Sequence, residues 1–65
     1  MTSATKTIER VLAGPVPLTI EEICQAVWGR SGDRERNLVY QVLHRLRERG
    51  ALVTHERQEK RYQLR

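Results

Sequence analysis

Apolar side chains recur along this chain at helical spacing in three stretches, and near its end at strand spacing. The longest stretch runs from Asp33 to Gly50, DRERNLVYQVLHRLRERG. Leu38, Val39, Val42, Leu43 and Leu46 fall there at i, i+3, i+4, i+7 and predict an amphipathic helix over 33–49, stopped by Gly50. Earlier, Ile8, Val11 and Leu12 predict a first helix over 5–13. Gly14 is expected to close it in a left-handed cap, and Pro15 cannot continue it. Val16-Pro17-Leu18 is then extended, as residues before proline tend to be, and predicts a short edge strand. Thr19 and Glu22 have the spacing of a capping box, with Leu18 and Ile23 as its hydrophobic staple. They open a second helix from Ile20 to about Val27, with Ile20, Ile23, Cys24 and Val27 inward. Gly29, Ser31 and Gly32 make a turn anchored by Trp28, and Ser31 or Asp33 is expected to cap the long helix. After Gly50, Ala51–Arg57 and Arg61–Arg65 read as two strands joined by the polar bend Gln58-Glu59-Lys60. Val53, Tyr62 and Leu64 are the expected inner face of this hairpin.

At 65 residues the chain is one domain, 1–65, with residues 1–4 expected to be disordered. So short a chain buries only roughly 60% of the surface its unfolded form exposes, so its core is small. Its single cysteine excludes an internal disulfide and a cysteine-rich zinc site. With no apolar run long enough for a signal peptide or a bilayer span, the sequence reads as soluble, cytoplasmic and without a membrane partner.

The net charge is +4 and the pI about 10.0. The charge is unevenly placed: residues 1–29 carry a net −1 and residues 30–65 a net +5. A basic second half built on an exposed helix face suits a polyanionic partner. That face is predicted to hold Asp33, Asn37, Tyr40, Gln41, His44 and Glu48. Arginines flank it at positions 34, 36, 45, 47 and 49. Asp33, Glu35 and Glu48 are expected to neutralise part of this charge by pairing with Arg34, Arg36 or Arg45.

The order of helix, short strand, capped helix, turn, long helix, glycine and hairpin resembles a winged helix-turn-helix domain. PLTIEEICQAV resembles the lead-in and second helix of that superfamily. VYQVLHRLRERGALV is similar to the end of the recognition helix in MarR-like and ArsR-like bacterial regulators. Their Leu-x-x-Leu-x-x-x-Gly-Leu-Val run is represented by Leu43, Leu46, Gly50, Leu52 and Val53, with Ala51 as an extra residue. Tyr62-x-Leu64 resembles the returning strand of the wing. The fold implied is mainly α with a small β-hairpin, in the order α-β-α-α-β-β. WGRSGD, between the second and third helices, is longer than the turn of the simplest helix-turn-helix proteins.

The resemblance implies a small sequence-specific binder of double-stranded DNA, a transcription regulator that is nucleoid-associated in the cell. Helix 33–49 would read the major groove and wing 51–65 would contact the backbone. Carried over by position, Arg36, Asn37, Tyr40 and Gln41 are the expected base readers. Gln41 matches an adenine edge and Arg36 a guanine. Thr19, Arg30, Arg34, His44, Arg45, Arg57, Lys60 and Arg61 are the expected backbone contacts. The alternative is a winged helix that docks on a larger protein without binding DNA. A homodimer is expected, if at all, through the first helix or the edge strand.

Other chemistries find little support. Cys24, on an apolar face, reads as a small core residue. His44 and His55 lie in different elements with no third ligand at metal spacing, so no metal site is expected. There is no phosphate-binding glycine loop, no carboxylate pair and no nucleophile set, so neither a cofactor nor enzymatic activity is expected.

Overall fold

The computed structural model describes residues 4–65, which form α1 (Ala4–Leu12), α2 (Ile20–Trp28), α3 (Asp33–Glu48), β1 (Leu52–Glu56) and β2 (Lys60–Leu64). Of the segment 1–4 expected to be disordered, the first three residues lie outside this range and Ala4 begins α1. Ile8 and Leu12 are the fully buried positions of α1. Its end differs from expectation in one respect. Among the described glycines only Gly29 and Gly50 have positive φ, so Gly14 makes no left-handed cap. The last turn tightens instead, the Gly14 N–H donating to the Val11 carbonyl at 3.4 Å, and Pro15 ends the helix because it has no N–H to offer.

The edge strand expected at 16–18 contracts to a single antiparallel bridge between Leu18 and Tyr62. The Leu18 N–H donates to the Tyr62 carbonyl at 2.9 Å, and the Tyr62 N–H returns to Leu18 at 2.7 Å. Thr19 follows directly as the N-cap of α2, so the pairing ends with this one residue. Directly afterwards the Thr19 hydroxyl accepts from the Glu22 N–H at 3.1 Å, and the Glu22 carboxylate accepts from the Thr19 N–H at 2.9 Å. This is the complete capping box that opens α2. Gly29, at φ 72°, closes that helix with its N–H on the Gln25 carbonyl at 2.9 Å.

α3 begins on Gly32, with no side-chain cap; neither Ser31 nor Asp33 takes the role expected of it. Asp33 and Glu35 lie in the first turn instead, where negative charge complements the helix dipole. The far end is a full Schellman motif: Gly50, at φ 70°, donates to Arg47 at 3.0 Å and Ala51 donates to Leu46 at 2.8 Å. The buried stripe of α3 is Glu35, Val39, Val42, Leu43 and Leu46. Leu38, expected within it, lies at its rim and is 37% exposed.

In the antiparallel hairpin Leu52 opposes Leu64, Val53 opposes Gln63 and Thr54 opposes Tyr62. Opposed residues share a face, so Leu52, Tyr62 and Leu64 point to the core and Val53 points to the other side. The expected inner place of Val53 thus belongs to Leu52. Ala51 is consumed by the Schellman turn, and that sets the phase of the strand. The other face is tied down by Gln63, whose amide donates to the Gly14 carbonyl at 3.1 Å and whose Oε1 accepts from His55 at 3.3 Å. All three helices and β2 meet in one core of Ile8, Leu12, Ile23, Cys24, Val39, Val42, Leu43, Leu46 and Tyr62. Trp28 packs against its edge. No helix among the described residues is long and apolar enough to cross a membrane.

Candidate nucleic-acid interface

Burial of one stripe of α3 leaves the rest of its circumference to solvent. Asp33, Asn37, Gln41, His44 and Glu48 lie opposite the core and all are exposed. Two flanks border this centre. Arg36, Tyr40 and Arg47, at i, i+4 and i+11, follow the side that faces the hairpin, while Arg34, Leu38, Arg45 and Arg49 follow the other. The four residues expected to read bases, Arg36, Asn37, Tyr40 and Gln41, are therefore accessible together on adjoining lines of one helix. Tyr40 is 54% exposed. A shallow groove between α3 and β2 is lined by Tyr40, Leu43, His44, Arg47, Lys60 and Tyr62.

The ion pairs alter the expected charge balance. Glu35 is only 7% exposed and binds Nε of Arg30 at 2.9 Å, so it turns away from the arginines of its own helix. Glu48 pairs with His44 at 3.1 Å rather than with Arg45. Arg49 reaches Glu9 of α1 at 3.8 Å. Arg34, Arg36, Arg45 and Arg47 are left with no ion pair or side-chain hydrogen bond among the described residues. The self-neutralisation expected of α3 falls instead on Arg30 and Arg49, and Glu48 is held by the His44 ring. Burial of Glu35 was legible in principle, since it stands four residues before Val39 on the core line of the helix.

The expected backbone contacts divide in the same way. Arg57, at the hairpin tip, is exposed and makes no ion pair among the described residues, and Lys60 is exposed and pairs with Glu56 at 3.6 Å. Arg61 is committed internally. Its Nη1 donates to Glu22 at 2.8 Å and to the Pro17 carbonyl at 3.5 Å, and its Nη2 donates to Glu59 at 3.3 Å. It joins the hairpin to the start of α2, a link that spans 39 positions and has no local sequence signal. Thr19 is occupied by its own capping box, and the Glu22 carboxylate takes the place an anion would have at the start of α2. Arg30 holds Glu35. Thr19, Arg30 and Arg61 thus hold partners within the fold, Arg30 from an exposed position, and Arg34, Arg45, Arg57, Lys60 and His44 also lie on the surface.

Two groups have shifted proton affinity. The Thr19 N–H holds the Glu22 carboxyl below its usual range, and Arg61 adds to this while partial desolvation opposes it. Burial pushes the Cys24 thiol up, which suits an inert core side chain. Among the described residues no three His, Cys, Asp or Glu side chains converge as a metal site. A second groove, on the outer face of the hairpin, is lined by Pro17, His55, Arg57, Gln58, Glu59 and Arg61. No family model matches the chain, and no curated protein or solved structure matches it.

Proposed function

We propose that this chain is a winged helix-turn-helix protein that binds double-stranded DNA sequence-specifically and regulates transcription. In this reading the exposed face of α3 lies in the major groove, with the hairpin as the wing beside it. The observation that carries it is the freedom of Arg34, Arg36, Arg45 and Arg47. Four guanidinium groups without ion-pair partners among the described residues surround Asn37, Tyr40 and Gln41 on one accessible helix. Unpaired cations supply the sequence-independent attraction to phosphates, and the amide side chains supply hydrogen bonds for base edges. Arg57 and Lys60 extend the positive surface to the hairpin tip, and the site requires neither cofactor nor metal.

The alternative, docking on a larger protein, would draw on the exposed apolar side chains. On α3 these are Leu38 and Tyr40, which stand two positions and roughly 200° apart around the helix. They belong to opposite flanks and make no continuous apolar patch, so DNA is the better-supported partner.

Fluorescence anisotropy of a labelled duplex, titrated at about 50 mM and about 200 mM salt, tests the reading. Binding should weaken steeply at the higher salt. Arg47→Ala should weaken all sequences alike and lower the salt slope by ~1, whereas Gln41→Ala should relax preference at one base position by ~1–3 kcal/mol. Arg61→Ala should cost stability and leave the salt slope unchanged. Absence of binding at either salt, or indifference to both α3 substitutions, would overturn the assignment.

A further inference from the structure

The hairpin has two edges, and the chain treats them differently. Along β2, Tyr62 points its N–H and carbonyl outward to Leu18. Beyond Leu18 nothing further can be added. Pro17 has no N–H, and the Thr19 N–H is held by Glu22. This closes the edge strand through which a homodimer was expected from the sequence.

The β1 edge is open. The Arg65 N–H bonds the Ala51 carbonyl at 2.8 Å, and from that pair the antiparallel alternation sends Val53 and His55 toward β2. Leu52, Thr54 and Glu56 therefore aim their N–H and carbonyl groups away from the hairpin. No backbone hydrogen bond among the described residues outside the hairpin ladder uses them. Most natural edges are blunted by lysine, proline or a bulge, yet the core of this one, Leu52 to His55, has none of these.

We propose that the open edge of β1 is a self-association surface, on which a second copy of this chain adds antiparallel about Thr54 to form a four-stranded β2-β1-β1-β2 sheet. The register follows from counting. Only pairing centred on Thr54 places Thr54 opposite its counterpart and Leu52 opposite Glu56 of the second copy, so that all three outward residues of each strand are hydrogen-bonded. Centring on Leu52 would draw in Gly50, held at φ 70° by the Schellman turn. Centring on Glu56 would set two carboxylates face to face. In the Thr54 register Glu56 faces Leu52 and Arg57 faces Ala51, so no like charges meet. Two five-residue edges bury far less than a standard interface, so association is weak.

Sedimentation velocity and amide hydrogen exchange on the full chain without DNA, from about 20 µM to about 1 mM, test this. The sedimentation coefficient should rise toward that of a dimer. Exchange at Leu52, Thr54 and Glu56 should slow with concentration, while that at Tyr62 stays constant. Thr54→Pro removes the central donor without touching the β1–β2 ladder and should weaken association at least about tenfold. If that variant fails to fold, the exchange pattern of the unaltered chain decides alone. A monomer at the highest concentration, or a dimer whose protected amides lie elsewhere, overturns the proposal. The outcome is independent of the DNA reading.

Discussion

At the scale of single residues, several side chains that look like surface chemistry in the sequence are committed to the fold. Glu22 is the clearest. It completes the capping box of α2 and receives Arg61 from the hairpin, so one carboxylate fixes both the start of a helix and the position of β2. Because these contacts lower its pKa, the stabilisation from its charge is complete above the ordinary value of 4.5 and is lost as pH falls through the lower folded value. Glu22→Gln keeps an acceptor for the Thr19 amide but removes the charge. It should therefore be less stable than the parent at neutral pH, and the two should converge in acid. Urea unfolding over a pH series checks this, and a gap that persists in acid would mean that the charge is not what Glu22 contributes.

At the scale of elements, the C-terminus of α3 decides how the hairpin meets the core. Gly50 holds a positive φ with open space around its Cα, so a side chain there meets no clash and suffers only conformational strain. Gly50→Ala should cost about 1–2 kcal/mol, and Gly50→Asn less, because asparagine tolerates the left-handed region. Gly32 differs: its φ is ordinary, but an added Cβ would lie 3.1 Å from the Glu35 carboxylate. Equal losses at Gly50 for alanine and asparagine in thermal denaturation would contradict the strain argument. The capping box, the glycine stop and the periodicity of α3 were all legible in the sequence, because each arises between residues a few positions apart. The hairpin phase was not. It depends on whether Ala51 belongs to the helix end or to the strand, and a shift of one residue exchanges Val53 for Leu52 on the inner face.

At the scale of the whole molecule, one small core carries the stability. A chain of 65 residues is expected to be stable by roughly 3–10 kcal/mol. Leu46 lies in the core cluster, and its carbonyl receives the Schellman bond from Ala51. Leu46→Ala should cost about 2–5 kcal/mol and lower the melting temperature by on the order of 10–30 °C. Scanning calorimetry checks this, and a loss of only a few degrees would mean that the core collapses around the cavity. The split between α3 arginines that are free and cations that are tied belongs to the same scale. Arg30, Arg49 and Arg61 find carboxylates delivered by other turns and elements, whereas Arg34, Arg36, Arg45 and Arg47 find none among the described residues.

The sequence by itself determined the three helices, the hairpin, the buried faces of α1 and α2, and the helix that leaves Asn37, Tyr40 and Gln41 in solvent. Period, caps and glycine stops act over one or two turns and need no knowledge of the rest of the chain. Only the tertiary structure decided which charges stay available, that Glu35 goes inward, and that Leu52 rather than Val53 faces the core. It also decided that one sheet edge is closed while the other is open. Each of these depends on groups far apart in the sequence, and their distances are set only when the helices and the hairpin close on their common core.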